Sequence, residues 1–190
     1  MLEQLDKRWP SLRKKLFVFI PNINPNLVSV GALLLALVAG FLFWKGFIFL
    51  AGAFVLLNTL FDLLDGEIAT KYSRRTVLGD FLDHTFDRLA DVAIFVGIAL
   101  SVAVPAWLGF GALIAVLLVS YLGTQAQALT GERLYTAIAG RGDRLIILIG
   151  ASWLTYFWAN ALYYGALAIL VLSALTFCQR FLIILRKLKS

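Results

Sequence analysis

Residues 61–91 read FDLLDGEIATKYSRRTVLGDFLDHTFDRLAD, and they hold seven of the chain's 11 acidic residues. Apolar segments long enough to cross a bilayer lie on either side of this stretch. An uncompensated carboxylate at the centre of a membrane helix costs about 2.5–3.5 kcal/mol on insertion scales. These carboxylates must therefore face a polar cavity, stay protonated or bind cations, and their spacing favours cations.

The composition predicts an integral membrane protein with one domain over residues 1–190. Hydrophobic residues make up 61% of the chain and charged residues 15%, with a mean hydropathy of +0.88. Soluble domains are about 45–50% apolar and about 25% charged. The start, MLEQLDKRWPSLRKK, lacks the short apolar core of a signal peptide. The single cysteine, Cys178, excludes an intrachain disulfide and a cysteine-based zinc site.

The apolar segments predict an all-α fold with a bundle of six transmembrane helices over residues 26–186. Before this bundle, residues 1–20 alternate basic side chains with apolar ones spaced three and four apart, which indicates an amphipathic juxtamembrane helix. The predicted spans are residues 27–43, 47–69, 77–104, 107–129, 144–158 and 161–185.

Basic residues predict the orientation of the bundle. All of the 17 Lys and Arg except Lys45 lie on one side of the predicted spans or within them. The positive-inside rule then predicts a multi-pass protein of the cell membrane with both termini cytoplasmic and with the acidic stretch near the cytoplasmic side. Since this topology accounts for the net charge of +6 and no nucleic-acid motif is found, we predict no nucleic-acid partner. Attraction to anionic lipid headgroups is a secondary consequence.

Two pairs of aspartates are spaced for one face of a helix each. Asp62 and Asp65 are three residues apart, and Asp83 and Asp87 are four apart. A short loop makes the two helices antiparallel neighbours, so the pairs can face each other. Four carboxylates without nearby sulfur suit Mg²⁺, Mn²⁺ or Ca²⁺. Two divalent ions would neutralise them and would suit a displacement at phosphorus.

Small residues lie beside both pairs. Gly66 and Ala69 leave a groove without large side chains after Asp65, and Gly79 precedes Asp83. Small residues also allow close helix packing in membranes. Next to the aspartates, a groove for a ligand is the better interpretation.

The full pattern is Asp62-x2-Asp65-Gly66-x2-Ala69-Thr70-x8-Gly79-x3-Asp83-x3-Asp87. It resembles the signature of the CDP-alcohol phosphatidyltransferase family, with every spacing and all fixed positions but one preserved. The resemblance implies six transmembrane helices after a juxtamembrane helix, a cytoplasmic-facing cavity and a homodimer. It also implies transfer of a phosphatidyl-type group from a CDP-linked lipid (CDP-diacylglycerol or CDP-archaeol) to a hydroxyl of a small polar alcohol, with release of CMP.

The resemblance also implies residue roles. The metal ligands would be Asp62, Asp65, Asp83 and Asp87, holding Mg²⁺ or Mn²⁺ and most simply two ions. Asp87 would in addition be the general base that takes the proton of the acceptor. The nucleotide would be bound by Asp62, Asp65, Gly66, Ala69, Gly79 and Asp83.

Thr70 is the one departure, because the family usually has arginine at this position. That arginine is expected to support the nucleotide phosphates or their metal-binding frame. Lys71 is adjacent, but a helix turns about 100° per residue, so its side chain need not point the same way. The position of this departure relates it to nucleotide binding.

A set of basic residues lies at the predicted cytoplasmic mouth: Lys71, Arg74, Arg75, Arg133, Arg141 and Arg144. They either converge on a phosphorylated acceptor or serve only as positive-inside charges. Residues 124–127 and 141–144 resemble segments of family members that use inositol phosphate. Inositol phosphate is therefore the predicted acceptor, with glycerol 3-phosphate as the alternative.

Three further residues of the acidic stretch are given supporting roles. We interpret His84 as structural. We expect Asp80 and Asp91 to support the metal ligands or to pair with Arg88 or with the arginines of the mouth.

Two other classes of protein compete with a transferase. Intramembrane carboxylates also mark cation or proton pathways, but a transporter should carry polar residues on several helices to the far side, and here they stop on two spans. A catalytically inactive membrane protein that keeps the fold is the second alternative. Thr70 favours it, whereas the four aspartates of the signature argue against it.

Overall fold

A computed structural model of the protein describes residues 22–131 and 138–189. These residues form six α-helices and no strand, which confirms the all-α prediction. The predicted juxtamembrane helix over residues 1–20 lies outside the described residues. The helices are α1 (Pro25–Trp44), α2 (Ile48–Lys71), α3 (Val77–Ala99), α4 (Ala106–Thr130), α5 (Arg141–Leu154) and α6 (Ala161–Lys189).

Polar side chains fix the first turns of three helices. The Asn24 side chain accepts a hydrogen bond from the Asn26 N–H before α1, and the Thr76 hydroxyl accepts one from the Gly79 N–H before α3. At the start of α5, the Asp143 carboxylate accepts from the Gly140 N–H at 2.8 Å. Each contact satisfies an amide that has no partner within its helix.

The predicted ends of two helices were wrong. The third helix ends at Ala99 rather than at residue 104, because a residue before a proline disfavours helical backbone and Pro105 instead precedes α4. The Ser101 hydroxyl donates to the Ile98 carbonyl at 2.7 Å and closes the turn. The fifth helix spans Arg141–Leu154 rather than residues 144–158. Its start is earlier because Asp143 caps it.

The six helices pack as a closed ring. In spatial order α1 contacts α2, then follow α5, α6, α4 and α3, and α3 contacts α1 again. Apolar side chains fill the contacts between them, and Phe43, Ile94, Leu108, Leu148 and Ile169 are fully buried or nearly so. The ring places the two acidic helices, α2 and α3, on either side of α1.

The outer surface of the ring is apolar. Large side chains such as Leu34, Phe41 and Leu50 are about half exposed. Among the described residues, α1, α2, α4 and most of α6 are long and apolar enough to cross a membrane. The remaining two helices differ, since α3 carries the second aspartate pair and α5 has 14 residues.

Backbones of α1 and α3 meet at two glycines. A methyl group on Gly97 would overlap the backbone of Gly40, and one on Gly40 would overlap the carbonyl of Ala93. Small residues allow helices in membranes to approach this closely. The contact fixes the distance of α3 from α1, and with it the position of the aspartates that α3 carries.

Replacing Gly97 with alanine should therefore destabilise the bundle by roughly 1–3 kcal/mol, as overpacking of a well-filled core does. Thermal unfolding in detergent would show this as a lowered midpoint. The matched control is Gly150→Ala in α5, where an added methyl group meets nothing within 4 Å. Equal midpoints for the two variants would contradict the close α1–α3 contact.

Candidate active site: a carboxylate cluster in a basic cavity

A cavity of about 870 Å³ opens among the helices, and all six contribute residues to its wall. It contains every residue that the sequence predicted for the metal and nucleotide sites, namely Asp62, Asp65, Gly66, Ala69, Gly79, Asp83 and Asp87. The structure thus brings the two aspartate pairs and the small residues beside them into one space.

Three of the aspartates form a tight group. Asp62, Asp83 and Asp87 each offer a carboxylate oxygen within 4.8 Å of the other two. Asp65 lies in the same cavity wall, and the Ser29 hydroxyl of α1 donates to its carboxylate at 2.5 Å. This set of oxygen donors fits a hard divalent cation.

Arg141, the first residue of α5, places its guanidinium among these carboxylates. Its Nη1 lies 2.7 Å from Asp87 and 3.1 Å from Asp62, and its Nε lies 3.4 Å from Asp91. The arginine is largely buried. It therefore compensates part of the negative charge that the two aspartate pairs bring into the bundle.

A second arginine links α3 to α4. Arg88 pairs with Asp91 at 3.4 Å and donates a hydrogen bond to the Ser120 hydroxyl. Asp91 has a side chain only 2% exposed, and it contacts both Arg88 and Arg141. It thus has the pairing role that the sequence suggested.

Asp80 and His84 lie towards the exposed end of α3. The side chain of Asp80 is 71% exposed, and His84 lies 3.5 Å from it and 3.6 Å from Asp83. Both residues line the cavity. His84 is therefore closer to the aspartates than its structural interpretation implied.

Two more arginines, Arg144 and Arg180, add positive charge to the wall of the cavity. Arg144 is 4% exposed, and its Nη1 has no hydrogen-bond partner among the described residues. Arg180 of α6 donates to the Val119 carbonyl and lines the same cavity. Arg180 was not among the predicted site residues. Its place within an apolar stretch of α6, before the basic residues at the end of the helix, was the available signal.

The other predicted basic residues divide into three groups. Arg74 and Arg75 line the cavity. Lys71 does not line it, and its ammonium lies 5.7 Å from the centroid of the Tyr72 ring. Arg133 lies outside the described residues.

A comparison with family models agrees with this geometry. The model described as CDP-alcohol phosphatidyltransferase matches residues 22–184. The chain belongs to the CDP-alcohol phosphatidyltransferase family. The predicted enzyme class is thereby confirmed, and with it the resemblance on which the site residues were assigned.

Relatives of this transferase come from archaea and bacteria. It is 35% identical to an archaetidylinositol phosphate synthase of Pyrococcus horikoshii, over 84% of this chain and 82% of that protein. It is 32% identical to a phosphatidylinositol phosphate synthase of Cutibacterium acnes, over 82% of this chain and 79% of that protein. The branch of the family predicted from the sequence is confirmed by these relatives.

Solved structures of the phosphatidylinositol phosphate synthase of Mycobacterium tuberculosis share the fold of this transferase. The structure with CDP-DAG bound matches with a TM-score of 0.77 and 28% identity, over 92% of both chains. The complex with manganese and citrate matches with a TM-score of 0.78 and 28% identity, over 92% of this chain and 87% of that one.

Removing the Arg141 charge should destabilise the transferase, because Asp62, Asp87 and Asp91 would lose their shared partner. We expect Arg141→Gln to lower the free energy of unfolding. The loss should be smaller than the cost of breaking a fully buried ion pair, which is about 3–5 kcal/mol. Denaturant unfolding in detergent with a metal chelator would measure it. Arg186→Gln, at an exposed position of α6, is the matched control. Equal stability of the two variants would show that the ion pairs contribute nothing.

Proposed function

We propose that this protein transfers a phosphatidyl-type group from a CDP-linked lipid to a hydroxyl of inositol phosphate and releases CMP. The observation that carries the proposal is the grouping of Asp62, Asp83 and Asp87 in a cavity whose wall also holds several arginines. A diphosphate donor needs cations to disperse its charge. A phosphorylated acceptor needs positive charge of its own, and the cavity provides for both.

The proposed metal ligands are Asp62, Asp65, Asp83 and Asp87. Their oxygens form the donor set that Mg²⁺ and Mn²⁺ prefer, and a relative was solved in complex with manganese. When bound, divalent ions would stabilise the charge that develops on the attacking and leaving oxygens at phosphorus.

Asp87 is the proposed general base. It lies in the carboxylate group and lines the cavity, where an acceptor hydroxyl can reach it. Asp87 would accept the hydroxyl proton while the hydroxyl oxygen forms a bond to the phosphorus next to the lipid. The bond from that phosphorus to the CMP oxygen breaks, and CMP leaves with the electron pair. A positioned base of this kind contributes about 10²–10⁴-fold to the rate.

The small residues define the proposed nucleotide groove. Gly66 and Ala69 on α2 face the cavity together with Gly79 on α3, and they leave room beside Asp62, Asp65 and Asp83. The donor diphosphate would then lie across the carboxylate group, with the nucleotide towards the loop between α2 and α3.

The acceptor site is proposed at the arginines of α3, α5 and α6. Arg88, Arg144 and Arg180 all line the cavity, and the buried Nη1 of Arg144 is a donor without a partner in the described chain. A phosphate group satisfies such a donor, and arginine binds phosphate through two hydrogen bonds. Similarity to an archaetidylinositol phosphate synthase and to a phosphatidylinositol phosphate synthase supports inositol phosphate over glycerol 3-phosphate as the acceptor.

The topology proposed from the sequence remains our proposal for the folded chain. All six helices would cross the membrane as one domain, with both termini cytoplasmic and the cavity open to that side. Short connections between α2 and α3 and between α3 and α4 support a crossing by α3, because α2 and α4 are both long and apolar enough to cross. We also propose that the protein forms a homodimer, as the resemblance to the family implied.

Release of CMP tests the function directly. Purified protein in detergent, given a CDP-lipid and Mg²⁺ or Mn²⁺, should release CMP with inositol 1-phosphate and much less with glycerol 3-phosphate, inositol or serine. Asp87→Asn should lower the rate by about 10²–10⁴-fold while CDP-lipid still binds.

Each other outcome of this assay has a distinct meaning. Release with glycerol 3-phosphate alone would overturn the acceptor but keep the reaction. If the protein neither bound a CDP-lipid nor released CMP, the transferase proposal would fail, and a cation pathway would be the next hypothesis.

Metal binding can be measured without turnover. Electron paramagnetic resonance of free Mn²⁺ should show uptake by the protein, and Asp83→Asn should weaken it by about tenfold or more, since a carboxylate ligand is lost. Asp80→Asn, which removes a highly exposed carboxylate of the same helix, should weaken it less. Equal affinities would place the metal elsewhere.

A further inference from the structure

Thr70 ends the small-residue groove with a hydroxyl instead of the family arginine. This hydroxyl donates to the Gly66 carbonyl at 2.7 Å. It also accepts a hydrogen bond from Nη2 of Arg75 at 2.9 Å. A guanidinium from the following loop is thus held against the turn of α2 that carries Gly66 and Ala69.

The three cations near this turn are held differently. The ammonium of Lys71 lies by the Tyr72 ring, away from the cavity. Arg74 donates to the Ile23 carbonyl and its guanidinium lies 5.7 Å from the Tyr72 ring centroid. Arg75 alone of the three combines a place in the cavity wall with a hydrogen bond to the end of the groove.

We propose that Arg75 binds a phosphate of the nucleotide half of the CDP-lipid donor, and that Thr70 positions its guanidinium for this contact. The inference rests on the proposed function. A guanidinium has five N–H donors, and the bond to Thr70 uses one of them. The remaining donors suit the paired oxygens of a phosphate. Lys71, which is the neighbour of Thr70 in sequence, has no part in this site.

Position assigns Arg75 to the donor rather than to the acceptor. Its anchor, Thr70, lies one helical turn after Gly66, at the end of the proposed nucleotide groove. The arginines proposed for the acceptor belong to α3, α5 and α6, and two of them are bonded to α4 at Ser120 and Val119. The cavity wall thus has one set of basic residues on the α2–α3 loop and another set on helices, two of which are hydrogen-bonded to α4.

The test compares steady-state kinetics of Arg75→Ala, Arg75→Lys and Lys71→Ala with those of the wild type, varying the CDP-lipid and the acceptor separately. Loss of a charged hydrogen bond should raise the KM for CDP-lipid by about tenfold or more in Arg75→Ala. The KM of Arg75→Lys should lie between those of Arg75→Ala and the wild type, because an ammonium keeps the positive charge but loses the paired N–H donors of the guanidinium. Lys71→Ala removes a charge near the same turn and should change this KM much less.

A rescue variant separates a binding role from a structural one. Thr70→Arg places the family residue back on α2, so the double variant Thr70→Arg with Arg75→Ala should recover most of the affinity that Arg75→Ala loses. The affinity for CMP, measured by calorimetry without turnover, should rank the variants in the same order as the KM for CDP-lipid does. Thermal midpoints should stay equal, since Arg75 is exposed in the loop.

The outcomes distinguish this inference from the proposed function. If the wild type releases CMP but Arg75→Ala matches Lys71→Ala in CMP binding and in the KM for CDP-lipid, Arg75 is no donor ligand. If Arg75→Ala raises only the KM of the acceptor, the assignment to the donor is overturned. If the wild type neither binds CMP nor turns over any CDP-lipid, the proposed function itself fails and this inference fails with it.

Discussion

The structure depends on compensating several carboxylates inside a bundle whose outer surface is apolar. Asp62, Asp87 and Asp91 share the guanidinium of Arg141, and Asp65 accepts a hydrogen bond from α1. Without such partners each ionised carboxylate would raise the free energy of the folded state by several kcal/mol. The compensation is incomplete, because two arginines, Arg141 and Arg88, form the ion pairs of these three carboxylates. A site of this kind has capacity for further cations, which is what a diphosphate substrate requires.

Helix packing is what brings these charges together. The carboxylates belong to α2 and α3, whereas Arg141 belongs to α5, so the ion pairs form only if the ring of helices closes. Gly40 and Gly97 let α1 and α3 meet backbone to backbone, and Asp83, Asp87 and Asp91 lie about one and a half to four turns before Gly97 on α3. A small change at an apolar contact is therefore transmitted to the polar site. The packing of α1 against α3 therefore also sets the geometry of the carboxylate group.

Local spacing in the sequence was enough to predict the carboxylate group. The contacts between residues far apart in the chain could not be predicted from it. Asp62 with Asp65 and Asp83 with Asp87 share helix faces at three and four residues, and this spacing predicted the grouping of the carboxylates. The expectation that the short loop makes α2 and α3 packed neighbours was wrong, because the two helices pack on either side of α1. The ends of α3 and α5 were missed because they depend on a proline effect and on a cap by Asp143. Arg180 was missed because nothing in the spacing says that α6 packs beside α4. Arg75 was among the predicted basic residues, but its hydrogen bond to Thr70 depends on the conformation of the α2–α3 loop, which the sequence did not predict.

The departure at Thr70 shows how one site can keep its charge while a signature residue changes. An arginine on α2 would carry its own charge to the end of the groove. A threonine cannot, but its hydroxyl is short, stays close to the backbone and can hold a guanidinium that arrives from outside the helix. The positive charge then depends on the conformation of the loop after α2, whose Ser73 has a φ of 53°. Such backbone is rare for residues other than glycine, so the loop needs support from its contacts, and the Arg74 bond to Ile23 ties it to the chain just before α1. The proposed donor end of the cavity is thus built from a loop held by contacts to α2 and to the chain just before α1, whereas the proposed acceptor end is built from side chains of helices.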